Sequence, residues 1–330
     1  MKLREKIFKI ETKDDFNNTA LEIFRYQFEQ NSIYRKFVQF FGANPETVKS
    51  CLDIPFLPVE FFKKEKIICG NAKPQAVFRS SGTSGAGESF HYVADLMVYK
   101  KSAVKAFKMF YGSPEDYTIL ALLPSYLEQK NSSLVWMTNF FISKSNFKND
   151  CGFFIDKSIT LCEKLKELVK IPQRKVLLLG VSYALLDFAE KIKFPLKNVI
   201  VMETGGMKGK GKEMVREELH KVLCDKLGVA EIHSEYGMTE MLSQAYSKGK
   251  GIFTCPHWMK VIVREMNDPL SWAVEGKTGE INVIDLANIN SCSFIATQDI
   301  GRLANDGSFK VLGRFDNSDV RGCNLMIENG

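Results

Sequence analysis

Apolar residues in the first quarter of the chain recur at helical spacing, with Phe16, Leu21, Phe24 and Phe28 falling near one stripe. This pattern predicts a mostly helical segment over residues 1–75. It is interrupted at Asp53-Ile54-Pro55-Phe56-Leu57-Pro58, because two prolines three residues apart cannot sit inside a helix. From about residue 76 to 235 the pattern alternates. Ala76–Arg79 reads as a short strand, Tyr117–Leu123 as a strand ended by Pro124, and Lys175–Leu179 and Asn198–Met202 as buried strands. Asp95–Phe110, Lys157–Lys170 and Lys212–Leu227 between them carry amphipathic helical spacing. Such alternation predicts an α/β architecture, with helices covering a largely parallel sheet. Beyond about residue 240 the texture changes to short strands at Met259–Arg264, Gly279–Ile284, Cys292–Ala296, Gly301–Ala304 and Ser308–Leu312, divided by turn signals such as Asp306-Gly307. The expected organisation is therefore a helical segment (1–75), an α/β core (76–235) and a β-rich subdomain (236–330), together one large domain.

Composition narrows the class. The 330 residues suffice to bury a sizeable core. The formal charge of +6 is spread among 45 basic and 39 acidic residues rather than clustered, which argues against a nucleic-acid partner. Residues 1–12 lack the apolar central run of a signal peptide. The longest apolar stretch, Val176–Leu186, is broken by Gly180, Ser182 and Tyr183 and is too short for a transmembrane segment. Eight cysteines without a CxxC pair then read as reduced thiols of a cytoplasmic protein. Cys255 and His257, with His233, lack the two ligand pairs of a structural zinc site.

One loop stands out chemically. Ser80-Ser81-Gly82-Thr83-Ser84-Gly85-Ala86-Gly87 follows a predicted strand and holds three glycines and four hydroxyls in eight residues. Glycines let backbone N–H groups approach an anion, and hydroxyls add donors without bulk; a flexible surface turn has the same composition. It is not a Walker loop, since no Gly-Lys-Ser/Thr follows. Gly206, Gly211 and Lys212 do have Walker spacing, but Glu213 stands where a Mg²⁺-ligating hydroxyl belongs. Lys208, Lys210 and Lys212 read as a solvated basic turn.

Four segments in order complete the pattern: the Ser80–Gly85 loop, Tyr236-Gly237-Met238-Thr239-Glu240, Thr297-Gln298-Asp299-Ile300-Gly301-Arg302, and Gly313-Arg314-Phe315-Asp316, with Gly205-Gly206 in the interval. Together they resemble the adenylate-forming superfamily. Within it, Ile54-Pro55-Phe56-Leu57-Pro58, Leu123-Pro124-Ser125-Tyr126-Leu127, Glu203-Thr204-Gly205-Gly206-Met207-Lys208 and Arg321-Gly322-Cys323 are similar to the acyl-protein synthetase (LuxE-type) family, a relative of the phenylacetate-CoA ligases. The resemblance implies the large domain of an adenylate-forming enzyme, with helix-flanked β-sheets plus a β-rich subdomain, and ATP and Mg²⁺ as cofactors. It implies that Ser80, Ser81, Gly82, Thr83, Ser84 and Gly85 hold the β- and γ-phosphates. Tyr236 would stack on adenine beside Gly237, with Gly205 and Gly206 on the other face. Thr239 would contact the α-phosphate, Glu240 would ligate Mg²⁺, Asp299 would bind the ribose hydroxyls and Arg314 would support the sugar. His91 stands where similar enzymes place an aromatic or His beside the acyl group. Cys323, on the loop past the Gly-Arg-x-Asp hinge, would accept the acyl group.

The sequence departs from the superfamily after the hinge. Only 14 residues follow Asp316, so the usual small C-terminal domain and its lysine are expected to be missing. The function implied is ATP-dependent activation of a carboxylic acid, a fatty acid above all, as its acyl-adenylate. Transfer to a cysteine of the enzyme would follow, and then to a reductase or carrier partner. An acyl- or aryl-CoA ligase and a non-catalytic nucleotide-binding subunit of an acyl-reductase complex are the alternatives.

Overall fold

The computed structural model describes residues 3–80, 87–125, 127–205, 214–268 and 271–314. Two six-stranded sheets organise it. The first runs in the order Gly152–Phe153, Tyr117–Leu122, Lys175–Val181, Val199–Thr204, His233–Tyr236, Ala245–Ser247. All but the last are parallel, and Ala245–Ser247 closes the edge antiparallel. All six residues of Tyr117–Leu122 are buried. Near-continuous apolar runs of this kind belong to strands covered on both faces.

The helices between these strands fall close to their predicted places. Leu96–Tyr111 is capped by Asp95, whose carboxylate accepts the Met97 N–H at 2.9 Å. Ser158–Leu168 and Arg216–Leu227 follow the expected spacing. The latter ends at Gly228, which sits at φ +65° in the left-handed cap that favours glycine.

The second sheet runs antiparallel in the order Ile252–Phe253, Phe309–Arg314, Phe294–Leu303, Thr278–Asp285, Met259–Arg264, with the short Leu57–Pro58 as its sixth, parallel strand beside Phe294–Leu303. Here two expected short strands, Cys292–Ala296 and Gly301–Ala304, are one strand, Phe294–Leu303. The polar run between them stays in the ladder because it is satisfied there. The Thr297 hydroxyl donates to the Ile281 carbonyl at 2.7 Å and accepts the Asp299 N–H at 3.1 Å.

Ala76–Arg79 is a strand as expected, but it pairs with Phe90–Val93 as a separate hairpin rather than joining the parallel sheet. The N-terminal helices lie on the second sheet. Leu57–Pro58 pairs parallel with Ile295 and Ala296. From the helix Lys13–Gln30, the buried Gln27 amide donates to the carbonyls of Asn288 and Ile289 and to Ser293 Oγ, and accepts the Ser293 N–H at 3.0 Å. First and last parts of the chain thus share one core. Among the described residues no helix is long and apolar enough to cross a membrane.

Candidate active site

The chain leaves the first sheet through Tyr236, Gly237, Met238, Thr239 and Glu240, and this turn is gripped from several sides. A Cβ at Gly237 would lie 2.5 Å from Glu235 Oε1, so the Glu235 side chain would have to shift to admit one. The buried Glu240 carboxylate accepts a short hydrogen bond from the Ser89 hydroxyl. Ser89 in turn closes the base of the glycine-rich loop. Its N–H donates to Ser80 Oγ at 2.9 Å, while the Ser80 N–H donates to the Ser89 carbonyl at 3.1 Å. His91, on the same hairpin strand and fully buried, has Nδ1 2.8 Å from the Thr239 carbonyl. A carbonyl only accepts, so Nδ1 carries the proton and Nε2, which has no partner among the described residues, carries the lone pair. Burial lowers the His91 pKa to about 4, and the bond to Thr239 opposes it only in part. The ring is therefore neutral near pH 7.

Residues from the second sheet complete the grip. Asn288 Nδ2 donates to the Glu240 carbonyl at 2.6 Å. Asp285, fully buried at the end of Thr278–Asp285, accepts the N–H groups of Leu242, Ser243 and Ala287 at 2.7, 3.0 and 3.1 Å and the Ser243 hydroxyl at 2.5 Å. Trp258 Nε1 donates to that hydroxyl at 2.9 Å. Ser89, Asp285 and Asn288 were invisible to sequence reasoning. Each is an ordinary polar residue far in sequence from what it holds, and only the buried carboxylate of Asp285 carries a chemical signature.

Tyr236 and Asp299 meet across the two sheets. The Tyr236 hydroxyl donates to Asp299 Oδ2 at 2.7 Å, and the ring, 7% exposed, packs edge-on against Phe253 and Phe309. Burial raises the Asp299 pKa, opposed by the Tyr236 hydrogen bond and by the charges of Arg314 and Arg216. Arg314 Nε lies 4.0 Å from Asp299 Oδ1 on the paired strand. The same Asp299 and Arg314 charges reach Glu240, whose pKa is raised by burial first.

Two further buried carboxylates lie on neighbouring strands, on opposite faces of the sheet. Glu203 is held by Arg216 Nε at 3.0 Å and His220 Nε2 at 3.5 Å. Burial pushes its pKa up, but these partners outweigh it and hold the carboxyl below the usual range. Arg216 also donates to the Val311 carbonyl at 2.9 Å, strutting the first sheet to the second. Glu235 accepts a short hydrogen bond from the Thr204 hydroxyl. Burial, aided by the charge of Glu203, raises its pKa to about 7.

Among the predicted site residues, Ser80, His91, Tyr236, Gly237, Thr239, Glu240, Asp299 and Arg314 are thus brought together. Gly205 ends Val199–Thr204 at φ +69°, its carbonyl accepting the Ser182 hydroxyl at 2.7 Å. Ser81, Gly82, Thr83, Ser84, Gly85, Gly206, Lys208, Lys210, Lys212 and Cys323 lie outside the described residues. Of the other cysteines, burial raises the thiols of Cys51, Cys162, Cys224 and Cys292 and pushes Cys69 and Cys255 up to about 12. Among the described residues no group of three or more His, Cys, Asp or Glu is arranged to hold a metal.

The fold in which the two sheets are arranged is that of adenylate-forming CoA ligases. The structure of 2-hydroxyisobutyryl-CoA ligase in the postadenylation state with 2-HIB-AMP is similar over 93% of this chain and 69% of that one, with a TM-score of 0.70 at 13% identity. Its open form with 2-HIB-AMP and CoA gives 0.67 over 93% and 72%. ATP-bound MatB from Rhodopseudomonas palustris gives 0.55 at 15% identity, over 75% of this chain and 49% of that one. No curated protein sequence matches the chain. The family model described as acyl-protein synthetase, LuxE, matches residues 7–330, and the chain belongs to that family.

Proposed function

We propose that this protein uses ATP to convert a carboxylic acid, a fatty acid above all, into its acyl-adenylate and then carries the acyl group as a thioester on Cys323, for delivery to a partner protein. In the first step a carboxylate oxygen attacks the α-phosphorus of ATP and pyrophosphate leaves. In the second the Cys323 thiolate attacks the acyl carbonyl and AMP leaves. The observation that carries the reading is the hydrogen-bond chain from Ser80 through Ser89 to Glu240, beside the Tyr236–Asp299 pair. It joins the base of a glycine-rich loop suited to phosphates to a buried carboxylate and a ribose-type acceptor.

The residues fit Mg²⁺. Glu240 is a hard oxygen donor whose charge is disfavoured by burial, and one carboxylate plus substrate phosphates is a usual donor set for this ion. Bound there, the ion would neutralise charge on the departing pyrophosphate. Cys323 is the acceptor that the family resemblance implies, on the loop past the Gly-Arg-x-Asp hinge; burial also raises the thiols of six of the seven described cysteines, which lowers their thiolate fraction. The seventh, Cys151, accepts the Ile119 N–H at 3.2 Å and has the Phe147 carbonyl at 3.3 Å. The test is the intact mass of the protein after incubation with ATP, Mg²⁺ and a panel of carboxylic acids. One acyl adduct, released by neutral hydroxylamine and lost in Cys323→Ser while pyrophosphate release persists, is expected. Full labelling of the Ser variant overturns the acceptor. Soluble acyl-CoA on adding CoA, with no labelled protein, makes the chain a CoA ligase instead.

A further inference from the structure

The helix Ser32–Phe40 with its cap Phe41, and the short helix Phe61–Lys64, carry four neighbouring phenyl rings, of which Phe37 and Phe61 are half-buried against the core and Phe40 and Phe41 are exposed. Phe40 is 84% exposed and Phe41 45% exposed. Phe37 touches Phe41 at 5.0 Å and Phe61 at 5.6 Å, and Phe40 touches Phe41 at 5.5 Å. Four phenyl rings thus form one contiguous patch at the end of a helix, where scattered single apolar residues would need no explanation.

Its neighbours are cationic. Lys36 is one helical turn from Phe40, and Lys64 is three residues from Phe61, which places each beside the ring it follows or precedes. Lys63 adds a third ammonium. Among the described residues none of these three lysines makes an ion pair. Arg35 and Lys66 are engaged elsewhere, with the Glu29 carbonyl at 3.2 Å and over the Tyr92 ring. The acids on the two segments are Glu60 and Glu65, so cations outnumber them.

We infer that this face binds an anionic lipid surface, with Phe40 and Phe41 inserted at the headgroup boundary and Lys36, Lys63 and Lys64 on the lipid phosphates. The composition decides between lipid and protein. Protein interfaces can carry Phe but are depleted in lysine, whereas lysines ringing apolar side chains are what an anionic bilayer attracts. Phe40 also stands clear of the surface rather than lining a groove, which suits insertion. Lipid binding at this face does not depend on the proposed reaction.

Sedimentation of the full chain with vesicles tests this. Wild type is expected to sediment with vesicles of equal parts phosphatidylglycerol and phosphatidylcholine, to be released by salt, and to ignore pure phosphatidylcholine. Three lysines near such a surface contribute on the order of a hundredfold in binding. The variant carrying Lys36→Glu, Lys63→Glu and Lys64→Glu should lose at least that. Phe40→Ser with Phe41→Ser should lose on the order of a hundredfold and keep its circular dichroism spectrum, since both rings are exposed. Absence of binding, equal binding to pure phosphatidylcholine, or variants that bind like wild type overturn the proposal. So does a wild-type dimer in analytical ultracentrifugation that the serine pair dissociates, because the patch would then be a contact between copies.

Discussion

Replacing Glu235 by Gln should unmask an acid sensitivity that the wild-type protein conceals. The folded protein holds the Glu235 proton up to about pH 7, against an ordinary glutamate value of 4.5, because burial penalises the charge and Glu203 adds to the penalty. The unfolded chain releases that proton from 4.5 upward. Its contribution to stability is thus fully present below pH 4.5 and lost as pH rises through 7. The gap corresponds to about 3 kcal/mol.

His91 works in the opposite sense. Folded, it stays neutral down to about pH 4, whereas unfolded it takes up a proton near 6.5. Its contribution is present above 6.5 and lost as pH falls through 4, again by about 3 kcal/mol. Between pH 4.5 and 6.5 the two slopes, each about 1.4 kcal/mol per pH unit, oppose and nearly cancel. Glu235→Gln keeps an acceptor for the Thr204 hydroxyl but removes one slope. The variant should therefore lose about 2 kcal/mol more than wild type on going from pH 6.5 to 4.5. Urea denaturation followed by tryptophan fluorescence across pH 4.5–7.5 measures both curves, and groups common to the two proteins drop out of the difference. Parallel curves for wild type and variant would refute the assignment of a neutral, buried Glu235.

Asp299→Ala should weaken ATP binding ten- to hundredfold in calorimetric titration, because a hydrogen bond to a charged group is worth about 1.5–3 kcal/mol. Tyr236→Phe should weaken it less, by leaving Asp299 without its 2.7 Å partner, and unchanged affinity in both variants would remove the nucleotide from this seam. His91→Asn places an amide donor near the position of Nδ1 and should retain pyrophosphate release within roughly twofold, whereas His91→Leu leaves the Thr239 carbonyl unpaired and should lower kcat about tenfold, the equivalent of about 1.4 kcal/mol. Equal loss in Asn and Leu would make His91 a packing residue only.

What the sequence disclosed and what it hid divide along physical lines. Strands such as Met259–Arg264 and helices such as Leu96–Tyr111 were legible because their spacing and caps are local. The helix Ser133–Lys144 was not, because Leu134, Val135, Trp136, Met137, Phe140, Phe141 and Ile142 leave it apolar almost all round, without a stripe to read. Thr297–Asp299 looked like a break between strands, since polarity marks a turn only when the groups face water; here they are satisfied inside the ladder. In the site, the motif residues could be picked out by type and order. Their supports could not, as the pairings Ser89–Glu240, Asn288–Glu240 and Asp285–Ser243 span 151, 48 and 42 residues, and no short-range pattern encodes such partners.

Those supports matter to the chemistry because Thr239 and Glu240 sit on irregular backbone, which by itself would be the least rigid part of the molecule. The hairpin holds one carbonyl through His91 and the carboxylate through Ser89. The second sheet holds the next carbonyl through Asn288 and the following N–H groups through Asp285. Each grip uses a buried partner, so releasing it would leave an unsatisfied polar group at a cost of about 1–3 kcal/mol. A turn fixed in this way does not have to reorganise when charge develops beside it, the condition under which electrostatic stabilisation is most effective. Because Ser89 also closes the base of the glycine-rich loop, displacement of that base would move the group bonded to Glu240. The base of the glycine-rich loop, bonded to the Ser89 backbone, and the Glu240 carboxylate, bonded to the Ser89 hydroxyl, are therefore held by one residue rather than independently.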